Sequence, residues 1–193
     1  MKLIIASNNA DKIREIKEIL SPYFEDFLSL KEAGIDHETV EDGNSFIENA
    51  VKKAREVAQI SGRFTIADDS GICVDALDGA PGIYSARFCG RHGDDKANNM
   101  LLLEKMKGVE NRSAHYTCAI ALASPDGNVV CAEEYMYGEI GYEEIGTGGF
   151  GYDPLFFLPE FNCTSAQITQ EQKNEISHRG KALRALVDKL ENR

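Results

Sequence analysis

No apolar run in these 193 residues is longer than the one from Cys118 to Ala123, far short of the ~20 residues a membrane span needs. Near the start only residues 3–6 are apolar, too short for a secretory leader. The five cysteines (Cys73, Cys89, Cys118, Cys131 and Cys163) are odd in number, and none pair at C-x-x-C spacing. That excludes a disulfide framework and a zinc module. Cys89 and His92 could share a metal, yet no second pair completes a tetrahedral set. Three cysteines lie in apolar stretches, as buried thiols do. The expectation is a reduced, cytoplasmic protein. Positive charge is scarce as well: 21 Lys and Arg face 32 Asp and Glu, a net charge of −11. A nucleic-acid or membrane-surface binder needs a basic face that this chain lacks. A phosphate-bearing ligand must therefore be held by a local cation cluster or a metal ion. No G-x-x-x-x-G-K-[ST] is present, so there is no P-loop. Linker-like tracts, repeats and low-complexity segments are missing too, and residues 1–193 read as one domain.

What is present alternates between strand and helix. Residues 2–6 read as a short buried strand, followed by a polar loop. The spacing of Ile13, Ile16, Ile19 and Leu20 predicts a helix over 10–20. Ser45 with Glu48 predicts a capping box. Phe46, Ile47, Ala50, Val51, Ala54, Val57 and Ala58 then form an apolar helix face that Gly62 closes. Residues 64–67 read as a second buried strand that ends at Asp68-Asp69-Ser70-Gly71. A helix over 95–107 and a hairpin of 115–123 with 128–139 follow. A glycine-rich stretch comes next, and then a final helix over 177–192 with Leu183, Leu186, Val187 and Leu190 inside. The fold class is α/β with a mixed, twisted sheet.

Five places could carry chemistry. Gly146-Thr147-Gly148-Gly149-Phe150-Gly151 matches the dinucleotide fingerprint letter for letter, but Pro154 and a strand-like 155–158 follow where a helix must open. The glycines serve either a loop with positive φ or a backbone that approaches a planar ligand, with Phe150 to stack on it. Asp68 and Asp69, at a strand end, are either turn residues or neighbours whose repulsion a divalent cation relieves. Glu41-Asp42-Gly43 adds carboxylates, or is a solvated acidic turn. Ser7-Asn8-Asn9-Ala10-Asp11-Lys12 offers amides and a lysine at a helix start, an anion site or an ordinary Asn cap. Lys173 with Ser177-His178-Arg179 puts cations at an electropositive helix end, sensible for an electron-rich ligand. The plainer reading is a Ser cap with exposed basic side chains.

The motifs also occur in a telling order. Ser7-x-Asn9-x-x-Lys12, Phe46-Ile47-Glu48-Asn49-Ala50, Ala67-Asp68-Asp69-Ser70-Gly71, the run Gly79-Ala80-Pro81-Gly82-Ile83-Tyr84-Ser85-Ala86-Arg87, Gly148-Gly149-Phe150-Gly151-Tyr152-Asp153-Pro154 and Ser177-His178-Arg179 together closely resemble the Ham1-like inosine triphosphate pyrophosphatases. The resemblance runs from residue 2 to about residue 190. It implies an elongated mixed sheet flanked by helices, in two lobes with a nucleotide cleft between them. It further implies a magnesium-dependent, homodimeric enzyme that hydrolyses ITP, dITP and XTP to the monophosphate and pyrophosphate. On matching positions, Ser7, Asn8, Asn9, Ala10, Asp11, Lys12 and Lys53 would hold the phosphates, and Ser70 would contact them. Glu41 and Asp69 would bind magnesium, with Asp69 also accepting a proton from the attacking water. Phe150, Gly151, Tyr152, Asp153, Lys173, His178 and Arg179 would surround base and sugar.

The chemistry suits those parts. In-line attack of water on the α-phosphorus needs the triphosphate held and its developing charge neutralised. An ordinary Asp, with a pKa of about 3.9, is a weak base unless metal has acidified the water. At the base, a site offering only donors accepts the C6 oxygen of hypoxanthine or xanthine and opposes the adenine amino group. Arg179 is a pure donor. Two other readings compete. A Maf-like pyrophosphatase would open with a serine- and arginine-rich loop, and residues 7–12 contain no arginine. A nucleotide sensor without turnover would gain nothing from Glu41 and Asp69.

Overall fold

The computed structural model describes residues 2–192. Seven strands form one sheet in the order β2-β1-β3-β4-β5-β6-β7. In chain order they are β1 (Lys2–Ile5), β2 (Asp26–Ser29), β3 (Thr65–Val74), β4 (Ser113–Ala123), β5 (Val129–Ile140), β6 (Phe156–Leu158) and β7 (Cys163–Thr164). The helices are α1 (Ala10–Leu20), α2 (Phe46–Ser61), α3 (Asp95–Lys105), α4 (Gln170–Ile176) and α5 (His178–Glu191). Pairing is parallel for β1 with β2 and with β3, where Ile5 faces Ser29 on one side and Ile66 on the other. It is antiparallel for β6 with β5 and with β7. The sheet is therefore mixed, as the alternation of segments predicts. Among the described residues no helix is long and apolar enough to cross a membrane.

The chain divides into two compact units, passing from one to the other after Asp69, Thr117, Glu134 and Ser177. Two of those boundaries fall inside motifs that the sequence had singled out. The first unit centres on Leu3, Ile5, Ile16, Leu20, Ile66, Ile120, Leu183, Leu186 and Val187, and α1 packs against α5 within it. The core of the second unit joins Ile72, Val74, Leu102, Met106, Tyr116, Ile140, Tyr152 and Phe156.

Local sequence explains most of the elements. Asn9 caps α1, its Oδ1 accepting from the amides of Asp11 and Lys12 at 2.9 and 3.1 Å. The expected stripes are inward: Ile16 and Leu20 on α1, Phe46, Ala50, Ala54 and Val57 on α2, and Leu183, Leu186 and Val187 on α5. Gly62 takes the left-handed conformation (φ 64°) that ends α2, which a residue with a Cβ adopts only at a cost.

Several expectations are corrected. β3 does not end at Ala67. It continues through Asp68, Asp69 and Ser70 to Val74, because partners inside the fold compensate the charge that would otherwise expel the strand into a loop. Ser45 does cap α2, accepting from the Glu48 amide at 3.2 Å, but the box is not reciprocal. With Ser45 extended, the amide that reaches Glu48 Oε2 is that of Asn44, at 2.7 Å. The true capping box is Thr169 with Gln172, opening α4. Ser177 closes α4, its amide donating to the Lys173 carbonyl, and α5 begins at His178. Of the five free cysteines only Cys118 is buried. On β3 the side chains of Ile72 and Val74 are buried and Cys73 alternates to the other face.

Arg112 ties the second unit together. Buried beneath the exposed Tyr142 ring, its guanidinium donates to the carbonyls of Ile140 (2.7 Å), Met106 (2.9 Å) and Gly141. It thereby holds the end of β5 against the end of α3. Arg112→Leu fills similar space but strips these carbonyls of their donors, and an orphaned buried acceptor costs about 1–3 kcal/mol. We expect a clear fall in the urea midpoint; a midpoint equal to wild type would show that water replaces the guanidinium without cost.

Candidate active site

Asp68 and Asp69 are neighbours on one strand, so their side chains leave on opposite faces. The geometry treats them differently. Asp68 Oδ2 meets Lys12 Nζ of α1 at 2.8 Å and the Arg179 guanidinium of α5 through Nη2 at 3.2 Å. Arg179, 2% exposed, also pairs through Nη1 with Glu15 of α1, itself 1% exposed. Burial alone would raise the Asp68 pKa, but Lys12, Arg179 and Lys53 overcome it and hold the carboxyl well below the usual range. Asp68 is thus a fixed anion.

Asp69 faces α2, where the buried Asn49 Nδ2 donates to its Oδ2 at 2.9 Å. Its pKa is raised. Burial is the main cause, opposed by Lys53 and Lys12, reinforced by the nearby Glu41 and opposed again by the Asn49 amide. Lys53, also on α2, pairs with Glu41 on the preceding loop. Burial pulls the lysine pKa down, and Glu41, Asp68 and Asp69 more than restore it, so the net shift is upward. A desolvated carboxylate beside a second acid is what an added cation stabilises. Two carboxylates also match the way magnesium is held, by one or two acids with the remaining positions filled by water and phosphate. Among the described residues no cluster of three or more His, Cys, Asp or Glu is poised for a metal, so phosphate oxygens or water would have to complete any shell.

The loop before α1 places Ser7 half-buried and Asn8, Asn9 and Ala10 exposed. Asn9 donates its amide to Ser7 Oγ at 3.2 Å, which folds the loop over the helix start. Asp11 turns to Arg14 at 2.8 Å. The structure thus gathers Lys12, Glu41, Lys53 and Asp69 in the first unit, and it seats Arg179, which the family resemblance implied beside base and sugar, on Asp68 and Glu15.

The second unit gathers another group. Asp153, buried, accepts from the Phe150 amide at 2.8 Å and from Lys173 Nζ at 2.6 Å through the same oxygen. Lys173 Nζ lies 4.6 Å from the Phe150 ring centre, a cation–π contact. Lys173 is buried, which removes the reading of exposed basic side chains for it and for His178 and Arg179. Gly149 (φ 69°) has no room for a side chain, since a Cβ would sit 2.1 Å from Asp153 Oδ2. Gly151 is held at both ends, its amide donating to Asp95 Oδ2 at 3.0 Å and its carbonyl accepting from Asn99 at 3.1 Å. Tyr152 behaves as core. Its ring packs in the second unit's cluster, its hydroxyl donates to the Ser85 carbonyl at 2.7 Å, and burial pushes its pKa up. Only its backbone is left to meet a ligand. Ser70 is half-buried in mid-strand.

Residues that sequence reasoning left unassigned include Glu15, Asp95, Asn99 and, above all, Asn49. Its signal was available: Asn49 falls on the buried stripe of α2, between Phe46 and Ala50 and Ala54, where a polar residue breaks the pattern.

Fold and charged cluster define an α/β protein with paired carboxylates and lysines suited to polyphosphate. The chain belongs to the Ham1 family, whose model matches residues 3–189. It is 50% identical to a Clostridium perfringens protein named dITP/XTP pyrophosphatase, over 98% of this chain and 97% of the relative. A Desulforamulus reducens protein of the same name is 48% identical over 98% and 96%. Among solved structures, the Staphylococcus aureus Ham1 protein superposes with a TM-score of 0.89 at 40% identity, covering 100% of this chain and 99% of its own. A nucleoside-triphosphatase / dITP/XTP pyrophosphatase from Mycobacterium abscessus gives 0.78 at 42%, covering 96% and 98%.

Asp68→Asn removes the anion shared by Lys12 and Arg179. Breaking a buried pair on one side costs about 3–5 kcal/mol, so the variant should unfold at markedly lower urea than wild type. An unchanged midpoint would mean the pairing carries no stability.

Proposed function

We propose that this chain hydrolyses deaminated purine nucleoside triphosphates (dITP, ITP and XTP) to the monophosphate and pyrophosphate. The observation that carries the reading is Asp69: a desolvated carboxylate with a raised pKa, in the fields of Lys53, Lys12 and Glu41. Lys12, Lys53 and the amides at the start of α1 are the phosphate-binding groups, with Ser70 as a further contact. Glu41 and Asp69 are the residues that would hold magnesium, which supplies charge neutralisation and a more acidic water. Asp69 accepts the proton of the attacking water. Phe150 stacks on the base, Gly151, Tyr152 and Asp153 frame it through their backbone, and Lys173, His178 and Arg179 supply donors. The same resemblance leads us to propose a cytoplasmic homodimer, to be checked by sedimentation for twice the chain mass.

The reaction class is settled by phosphorus NMR of dITP with enzyme and magnesium. Monophosphate and pyrophosphate should appear together, and Asp69→Asn should lose at least ~100-fold in kcat, the scale of a lost general base. Orthophosphate with a nucleoside diphosphate as first products would sink the reading.

Selectivity has its own test. Arg179→Lys keeps a positive charge beside Asp68 and Glu15 but loses the planar donor fork. We expect kcat/KM for dITP to fall on the order of tenfold, with dATP changed little, so that their ratio drops. An equal fall for both would move Arg179 from the base to the phosphates.

A further inference from the structure

The loop that carries Glu41 is fastened along α2 by the side chains of that helix. Lys52 Nζ donates to the Val40 carbonyl at 2.8 Å and pairs with Asp42 at 2.6 Å. Glu48 accepts from the Asn44 amide. These contacts are solvent-exposed and individually weak. One fastening is of another kind. Asn49 is fully buried, its Oδ1 accepts from the Gly43 amide at 2.8 Å, and its Nδ2 donates to Asp69 Oδ2 at 2.9 Å. A single planar amide spans the distance from the loop, two residues beyond Glu41, to the carboxylate of Asp69.

Gly43 completes the device. Its backbone is not in the left-handed region, so glycine is there for space and not for conformation. A Cβ at this position would lie 2.7 Å from Asn49 Oδ1, 2.9 Å from Glu48 Cβ and 3.2 Å from the Asn49 nitrogen. The loop therefore lies flush on the first turn of α2, and any side chain at residue 43 would lift it.

We propose that Asn49, seated by Gly43, is a positioning residue that sets the Glu41 loop in register with Asp69. The proposal rests on the roles given above to those two acids. Asn49 acts through them: its carbonyl fixes the loop, and its amide fixes the plane of the Asp69 carboxylate. Both ends are engaged by the same rigid group, so a displacement of the loop is felt at Asp69.

Three variants separate the ends of the amide. Gly43→Ala presses a Cβ against Asn49 Oδ1 and lifts the loop, while both polar ends of the Asn49 amide are retained. Asn49→Asp keeps an acceptor for the Gly43 amide but withdraws the donor to Asp69. Asn49→Ala removes both. Two readouts do not depend on turnover: Mn²⁺ binding to the protein alone, by calorimetry, and hydrogen exchange of residues 39–45. Gly43→Ala and Asn49→Ala should weaken Mn²⁺ binding by about tenfold or more, as loss of a supporting contact does, and should speed exchange. Asn49→Asp should keep exchange slow. All three should lower kcat for dITP on the order of 10²-fold while KM moves little, the mark of misplaced reacting groups. Mn²⁺ binding and exchange equal to wild type in both Gly43→Ala and Asn49→Ala would overturn the proposal. A wild-type protein that releases no pyrophosphate from dITP would instead overturn the reading of the activity, and the binding and exchange results would still judge Asn49.

Discussion

The buried charge of Asp68 is the constraint around which the first unit is arranged. It sits in mid-strand with 1% of its surface exposed, where an unpaired carboxylate would not be tolerated. Lys12 arrives from α1 and Arg179 from α5, segments far apart in the chain. Arg179 then closes the circuit by pairing with Glu15, back on α1. Such a network adds little stability over an apolar core of equal volume. What it supplies is registration: α1 and α5 must meet β3 at one place, or charges are left stranded. Because alternate side chains leave a strand on opposite faces, fixing Asp68 also fixes where Asp69 emerges, facing α2.

The same economy explains how a chain of net charge −11 can be suited to a polyphosphate. Its cations are not spread as a basic surface. Lys12, Lys53 and Arg179 of the first unit are each held by an acid, which keeps them in place. An arriving phosphate competes for lysines that are already oriented, so little side-chain entropy remains to be lost. Asp69 gains from the reverse process. Its charged form is disfavoured by burial and by Glu41, and a cation placed near both acids would relieve that penalty.

Helices with strong apolar stripes were legible: α1, α2 and α5 follow their 3.6-residue period, and the hairpin of β4 and β5 follows its turn. The elements that escaped lack such a signal. β2 is a four-residue strand at the sheet edge with no buried side chain, so neither alternation nor an apolar run marks it. α4 has seven residues, nearly all polar, and is defined by its Thr169–Gln172 box. The length of β3 was misjudged because Asp-Asp-Ser-Gly carries turn chemistry in isolation. Only partners distant in sequence make it strand. Within the site, Lys12, Asp69 and Phe150 were visible as residue types, while the role of Asp153 and the division between base and phosphate contacts came from family resemblance.

Asp68 and Asp69 carry one side chain in one stretch of strand, yet one is a fixed anion and the other a carboxylate pushed towards neutrality. Chemistry of the residue cannot distinguish them; the face can. Two cations meet Asp68, and an amide from α2 meets Asp69. That amide belongs to Asn49, a polar residue placed where the helix pattern calls for an apolar one, as is Lys53 one turn further on. Local sequence and global fold usually agree, and where they part the reason is commonly function. On α2 the two departures lie on the stripe that faces the acids, so the helix loses part of its apolar contact there and gains control over both carboxylates.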